Sequence, residues 1–88
     1  MERTITICNK LGLHARAAAK FVTLASRFAS EIELIRDTKR VNGKSIMGVM
    51  MLAAAMGTQL TLSASGEDEQ VALDELEALV NNRFGEDE

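Results

Sequence analysis

The chain has 88 residues, enough for one compact domain and too few for two. Its formal net charge of −3 argues against nucleic acid as the main partner, because a phosphate backbone wants a basic surface. The single cysteine, Cys8, excludes a secreted disulfide scaffold. The longest apolar run, Val49 to Met56, falls far short of the ~20 residues that span a bilayer, so no membrane insertion is expected.

Met1-Glu2-Arg3-Thr4 lacks the apolar run of a signal peptide. With an unpaired cysteine, that composition fits a cytoplasmic setting. There is no tryptophan or tyrosine and there are three phenylalanines, so the core must be aliphatic.

Thr4-Ile5-Thr6-Ile7 alternates polar and apolar, the period of a half-buried strand. Asn9 to Gly12 follows as a loop. From Ala15 to about Phe28 the period becomes helical, with Ala18, Val22 and Ala25 flanked by Phe21 and Phe28 on one stripe. Glu31 to Arg36 alternates again, Asp37-Thr38 turns the chain, and Arg40-Val41-Asn42 pairs back. Ser45 is a candidate N-cap for a short helix over Ile46 to Leu52. Gln59 to Ala64 is the clearest strand. Ala72, Leu76, Leu79 and Val80 mark a last helix over about Asp68–Asn82, its acidic start suited to the helix dipole. The order β-α-β-β-α-β-α predicts an α+β fold, a four-stranded antiparallel sheet with three helices on one face. Residues 1–88 read as a single domain, with 84–88 as a mobile acidic tail.

His14 is the only histidine, and it lies just before the first predicted helix. The first backbone N–H groups of a helix lack internal partners, and with the positive end of the dipole they accept a phosphate. Arg16 adds a planar cationic fork suited to phosphate oxygens. A neutral imidazole nitrogen is a nucleophile near neutral pH. Nucleophile, anion cradle and clamp thus fall within three residues. No partner base and no metal-ligand spacing accompany them, which suits temporary storage of a phosphoryl group better than a full catalytic cycle. The bland alternative is a surface or capping histidine, the commoner role at such a position.

Gly12-Leu13-His14-Ala15-Arg16, followed by an alanine-rich helix, resembles the active-site signature of the HPr family, the histidine-containing phosphocarriers of the bacterial phosphoenolpyruvate-dependent phosphotransferase system. Val41 to Met50 resembles the family's second signature, and Ser63 to Glu69 the stretch that enters its last helix. The resemblance covers nearly the whole chain. It implies an open-faced β-sandwich and a carrier with no catalytic turnover and no cofactor. His14 would take a phosphoryl group on Nδ1 from phosphorylated enzyme I and pass it to enzyme IIA-type acceptors, with Arg16 steadying the phosphoryl oxygens. A monomer is expected. The chain departs from the family at Ala17, where many members have proline. Alanine keeps the helix and restores one N–H donor.

Ser45, besides capping, resembles the family's regulatory phosphorylation site for HPr kinase/phosphorylase. A phosphate there suits a helix N-terminus but adds negative charge beside a docking surface. In the short helix Val49 and Leu52 can face the sheet, leaving Ile46, Met47 and Met50 outward. The family docks partners on such a patch, so these three, with Ala15, Ala17 and Lys20, are the expected contact residues. Arg16, Lys20, Arg27 and Lys44 form a candidate basic rim. Cys8 is expected to be buried and inert. Two alternatives stand beside the carrier of sugar transport: a carrier of the nitrogen-related or a purely regulatory branch, and a small binding module without phosphoryl chemistry.

Overall fold

Alternating side chains build the sheet. The computed structural model describes every residue, Met1–Glu88, and sets β1 (Glu2–Thr6), β2 (Glu31–Arg36), β3 (Lys39–Asn42) and β4 (Gln59–Ser65) in one antiparallel sheet of order β1-β4-β2-β3. Leu62 of the central strand β4 lies opposite Arg3 on one side and Leu34 on the other. Strand pleating sends Ile5, Ile32, Leu34, Leu60, Leu62 and Ala64 to one face, where all are buried. Thr4, Glu31, Glu33, Thr61 and Ser63 take the other face and stay at least partly open to solvent.

Three helices, α1 (Ala15–Ala25), α2 (Ile46–Met51) and α3 (Glu69–Asn81), cover the apolar face. Together with the sheet they enclose one core cluster, aliphatic except for Phe21 and Phe84. This is the expected open-faced α+β sandwich. No helix is long and apolar enough to cross a membrane.

Three local differences from the sequence pattern have physical causes. β1 stops at Thr6 because Ile7 bonds instead to the turn before β4, through the Thr58 and Gly57 backbones. α1 stops at Ala25, before Phe28. Its last turn tightens through Arg27 N–H to Leu24 and Phe28 N–H to Ala25, and the next two N–H groups, of Ala29 and Ser30, are taken by the Asp68 carboxylate. The buried stripe of α1 is Ala17, Ala18, Phe21 and Ala25, rotated away from Val22, which is half-buried.

The C-terminal end, 84–88, is a correction to the mobile tail that its acidity suggested. A short 3-10 turn follows α3 at Arg83–Gly85. Left-handed backbone at Arg83 (φ 56), Phe84 (φ 53) and Gly85 (φ 78) reverses the chain. Such a conformation costs a non-glycine residue about 1–2 kcal/mol. Phe84 is fully buried in the core cluster, which returns up to about 3 kcal/mol. Lys20 Nζ adds a 2.7 Å hydrogen bond to the Phe84 carbonyl, and Lys10 holds Glu88 through its backbone N–H and its ammonium.

Candidate functional site at the start of helix α1

The loop that carries His14 is clamped before it reaches the helix. Gly12 has φ +66, and a Cβ there would lie 2.5 Å from the Ala54 carbonyl oxygen, so only glycine fits this approach. Leu13 N–H then donates to that same carbonyl at 2.9 Å. His14 follows with extended backbone as the residue that caps α1 in position, but its side chain caps nothing. The first intrahelical bond runs from Ala18 N–H to the His14 carbonyl at 2.8 Å. The N–H groups of Ala15, Arg16 and Ala17 are left ahead of that ladder, the arrangement that receives an anion.

Arg16 is exposed, and its guanidinium forms no ion pair. It lines a cleft of about 710 Å³ together with Lys10, Leu11, His14 and the tail carboxylates of residues 86–88.

A carboxylate partner for His14, which the sequence did not reveal, is the main addition of the structure. The Glu86 side chain meets His14 Nε2 through Oε2. Its other oxygen accepts from Asn9 Nδ2 at 3.0 Å, and Asn9 Nδ2 also donates to the Gly12 carbonyl at 2.8 Å. Both partners of that amide are acceptors, so its nitrogen must face them. Asn9 is 0% exposed, and its Oδ1 is left buried without a partner. Glu86 is held below the usual carboxylate range, first by the Asn9 hydrogen bond and then by His14, against the opposing effect of burial. Glu86 lies 72 residues from His14, beyond any local pattern. The one available signal was Phe84-Gly85, a lone aromatic and a turn residue after the last helix, which together mark an anchored end.

The other expected residues divide. Ala15 is exposed, but Ala17 is 0% exposed and packs in the core. Its side chain therefore cannot contact a partner, a correction that leaves only its N–H at the site. Lys20 is exposed yet committed to the Phe84 carbonyl, and Lys44 donates to the Phe28 carbonyl at 2.7 Å, so Arg16 and Arg27 are the uncommitted cations of the rim. Ile46, Met47 and Met50 stand outward on α2, Met47 being 73% exposed, while Val49 and Leu52 are buried. The exposed apolar set also takes in Leu11, Met51 and Met56, which the pattern did not single out. Ser45 caps α2, its Oγ accepting from Gly48 N–H at 3.1 Å. Cys8 is a further correction: it is exposed, with Sγ 3.2 Å from the Val80 carbonyl.

Comparison with known proteins gives the family and the fold. The family described as the PTS HPr component phosphorylation site matches residues 1–82. The phosphocarrier protein HPr of Cupriavidus necator is 56% identical over 88 residues, covering 100% of this chain and 99% of the relative. The phosphocarrier protein NPr of Shewanella violacea is 48% identical over 86 residues, covering 98% and 94%. A crystal structure of HPr from Thermoanaerobacter tengcongensis superposes with a TM-score of 0.96 at 50% identity, covering 100% of this chain and 99% of the other. A second crystal structure from that organism, described as an HPr dimer, superposes at 0.80 with 51% identity, covering 98% and 99%. Dimers of this fold thus occur among relatives, beside the monomer expected from the sequence. Fold and matches define a small phosphoryl-group carrier, not a catalytic enzyme. The chain belongs to the PTS HPr family of phosphocarriers.

Proposed function

We propose that His14 is the phosphoryl-carrying residue, loaded by phosphorylated enzyme I and unloaded to enzyme IIA-type acceptors in the cytoplasm. The observation that carries this role is the uncapped start of α1. It presents an imidazole and three free N–H groups beside an unpaired arginine, inside the span matched to the phosphorylation-site family. The free amides and Arg16 match the oxygens of the arriving group, and the rate comes from this placement. Ala15 and the outward Ile46, Met47 and Met50 supply the docking surface, with Lys20 and Arg27 at its edge. Flexible methionines suit a surface that must fit both a donor and several acceptors.

Incubation with phosphoenolpyruvate and enzyme I tests this. Wild-type protein should acquire an acid-labile, base-stable phosphoryl adduct that His14→Ala cannot form. Wild type that stays unlabelled, with an enzyme I proven active on another carrier, rejects the role. Ser45 is the proposed regulatory site: HPr kinase with ATP should give an acid-stable adduct that is absent from Ser45→Ala, and equal labelling of that variant refutes the assignment. The nitrogen-related branch is the second reading, favoured by the match to a carrier named NPr. Comparing loading rates with enzyme I of either branch separates the two.

A further inference from the structure

We infer that Glu86 is a positioning residue for phosphoryl transfer, holding His14 in the tautomer whose Nδ1 lone pair faces the incoming phosphorus. The inference rests on the carrier role of His14 proposed above and adds to it a part for the C-terminal tail.

The assignment follows from who can donate. An ionised carboxylate only accepts hydrogen bonds, so the ring nitrogen that meets Glu86 Oε2 must be the donor. That nitrogen is Nε2. A neutral imidazole with its proton on Nε2 has its lone pair on Nδ1. Nδ1 has no hydrogen-bond partner in the structure, and the His14 side chain, 27% exposed, opens on the cleft that Arg16 also lines. Glu86 does not rely on His14 for its own place. Asn9, fully buried, fixes its Oε1, and the Glu86 N–H donates to the Arg83 carbonyl at 2.9 Å. Buried Phe84 holds the segment just before it. A carboxylate held in this way orients an imidazole, as the acid of a catalytic triad does.

The step balances without an added reagent. The Nδ1 lone pair forms a bond to the phosphorus of a phosphohistidine donor, and the donor's P–N bond breaks with its electron pair returning to the donor ring. The proton on Nε2 stays there, and the positive charge that develops on the His14 ring is met by Glu86. On discharge to an acceptor the same events run in reverse.

A Glu86→Gln variant gives a sharp test. Asn9 Nδ2 requires an acceptor, so the glutamine oxygen takes that bond and the glutamine NH₂ turns toward His14. The ring must then accept at Nε2 and carry its proton on Nδ1, which removes the nucleophile. Nitrogen-15 spectra of the His14 ring, recorded at alkaline pH on the full chain, should show the Nε2–H tautomer in wild type and a shift toward Nδ1–H in Glu86→Gln. Single-turnover loading by phosphorylated enzyme I should slow by about tenfold, more in Glu86→Gln than in Glu86→Ala. The concentration dependence of docking should not move. An unchanged tautomer in Glu86→Gln, or loading as fast as wild type, overturns the inference. If wild type itself does not load, the carrier role fails, and the tautomer measurement still decides the part played by Glu86.

Discussion

The starts of α1 and α2 solve the same problem in opposite ways. At α2 the Ser45 hydroxyl satisfies Gly48 N–H, so the helix completes itself. At α1 the first-turn N–H groups have no cap, and the neighbouring polar groups serve His14 instead: Asn9 holds Glu86, and Glu86 holds the ring. A capped start contributes stability, and an uncapped one keeps its donors available for a ligand. The contrast also shows what α1 relies on in place of a cap. Its loop is braced from outside, by the Ala54 carbonyl on one side and by the returning tail on the other.

If the tail is that brace, removing its anchor should have the largest effect. Phe84→Ala empties a fully buried site in the core and should cost about 3 kcal/mol or more. Urea denaturation measures it. The same variant should free Glu86 from His14 and slow phosphoryl loading, while α2 keeps its own cap. A cost well below 1 kcal/mol would mean that Phe84 does not anchor the tail, and the comparison of the two helix starts would lose one of its terms. Ser45→Ala probes the other end. It removes one cap and should cost about 1 kcal/mol in the same assay, with no effect on the His14 tautomer. A change in the tautomer would show that the two helix starts are not independent.

What could be read from the sequence divides along the same line. α2 is a local object: the cap, the buried Val49 and Leu52 and the outward Ile46, Met47 and Met50 all follow from spacing, and the structure places them so. His14, Arg16 and the helix they open are local too. The strand order β1-β4-β2-β3 is set by pairing across the chain, which alternation does not encode. Glu86 was hidden for the same reason, and an acidic end looks mobile until Phe84 is seen to be buried. Ala17 was misplaced because a helical period fixes a face only to within one residue, and Cys8 because an unpaired cysteine is so commonly buried that residue type was weighed above the strand alternation. The α1 stripe is turned toward Ala17, and Cys8 follows buried Ile7 onto the outward side.

The third helix start extends the comparison and carries the smallest effect. Asp68 precedes α3 but makes no cap for it. Its carboxylate reaches back instead to the Ala29 and Ser30 N–H groups and the Ser30 hydroxyl, where α1 hands over to β2. The Ser30 hydroxyl, then the Ala29 N–H, hold the Asp68 carboxyl below its usual value of 3.8, against the opposing effect of burial. A depressed carboxylate stabilises the fold at pH values above its unfolded value, and that contribution is lost as pH falls through the lower, folded value. The unfolded chain therefore binds the proton first, and stability should decline on acidification from the range of an ordinary aspartate downward. Glu86, depressed for its own reasons, adds a slope of the same sign. Asp68→Asn removes one of the two contributions, so its stability should fall less steeply between neutral and acid pH than that of wild type. Parallel urea titrations at pH 7 and pH 3 measure the difference. If the two proteins lose stability in parallel, the joint between α1 and β2 does not depend on the Asp68 charge, and its hydrogen bonds act in neutral form.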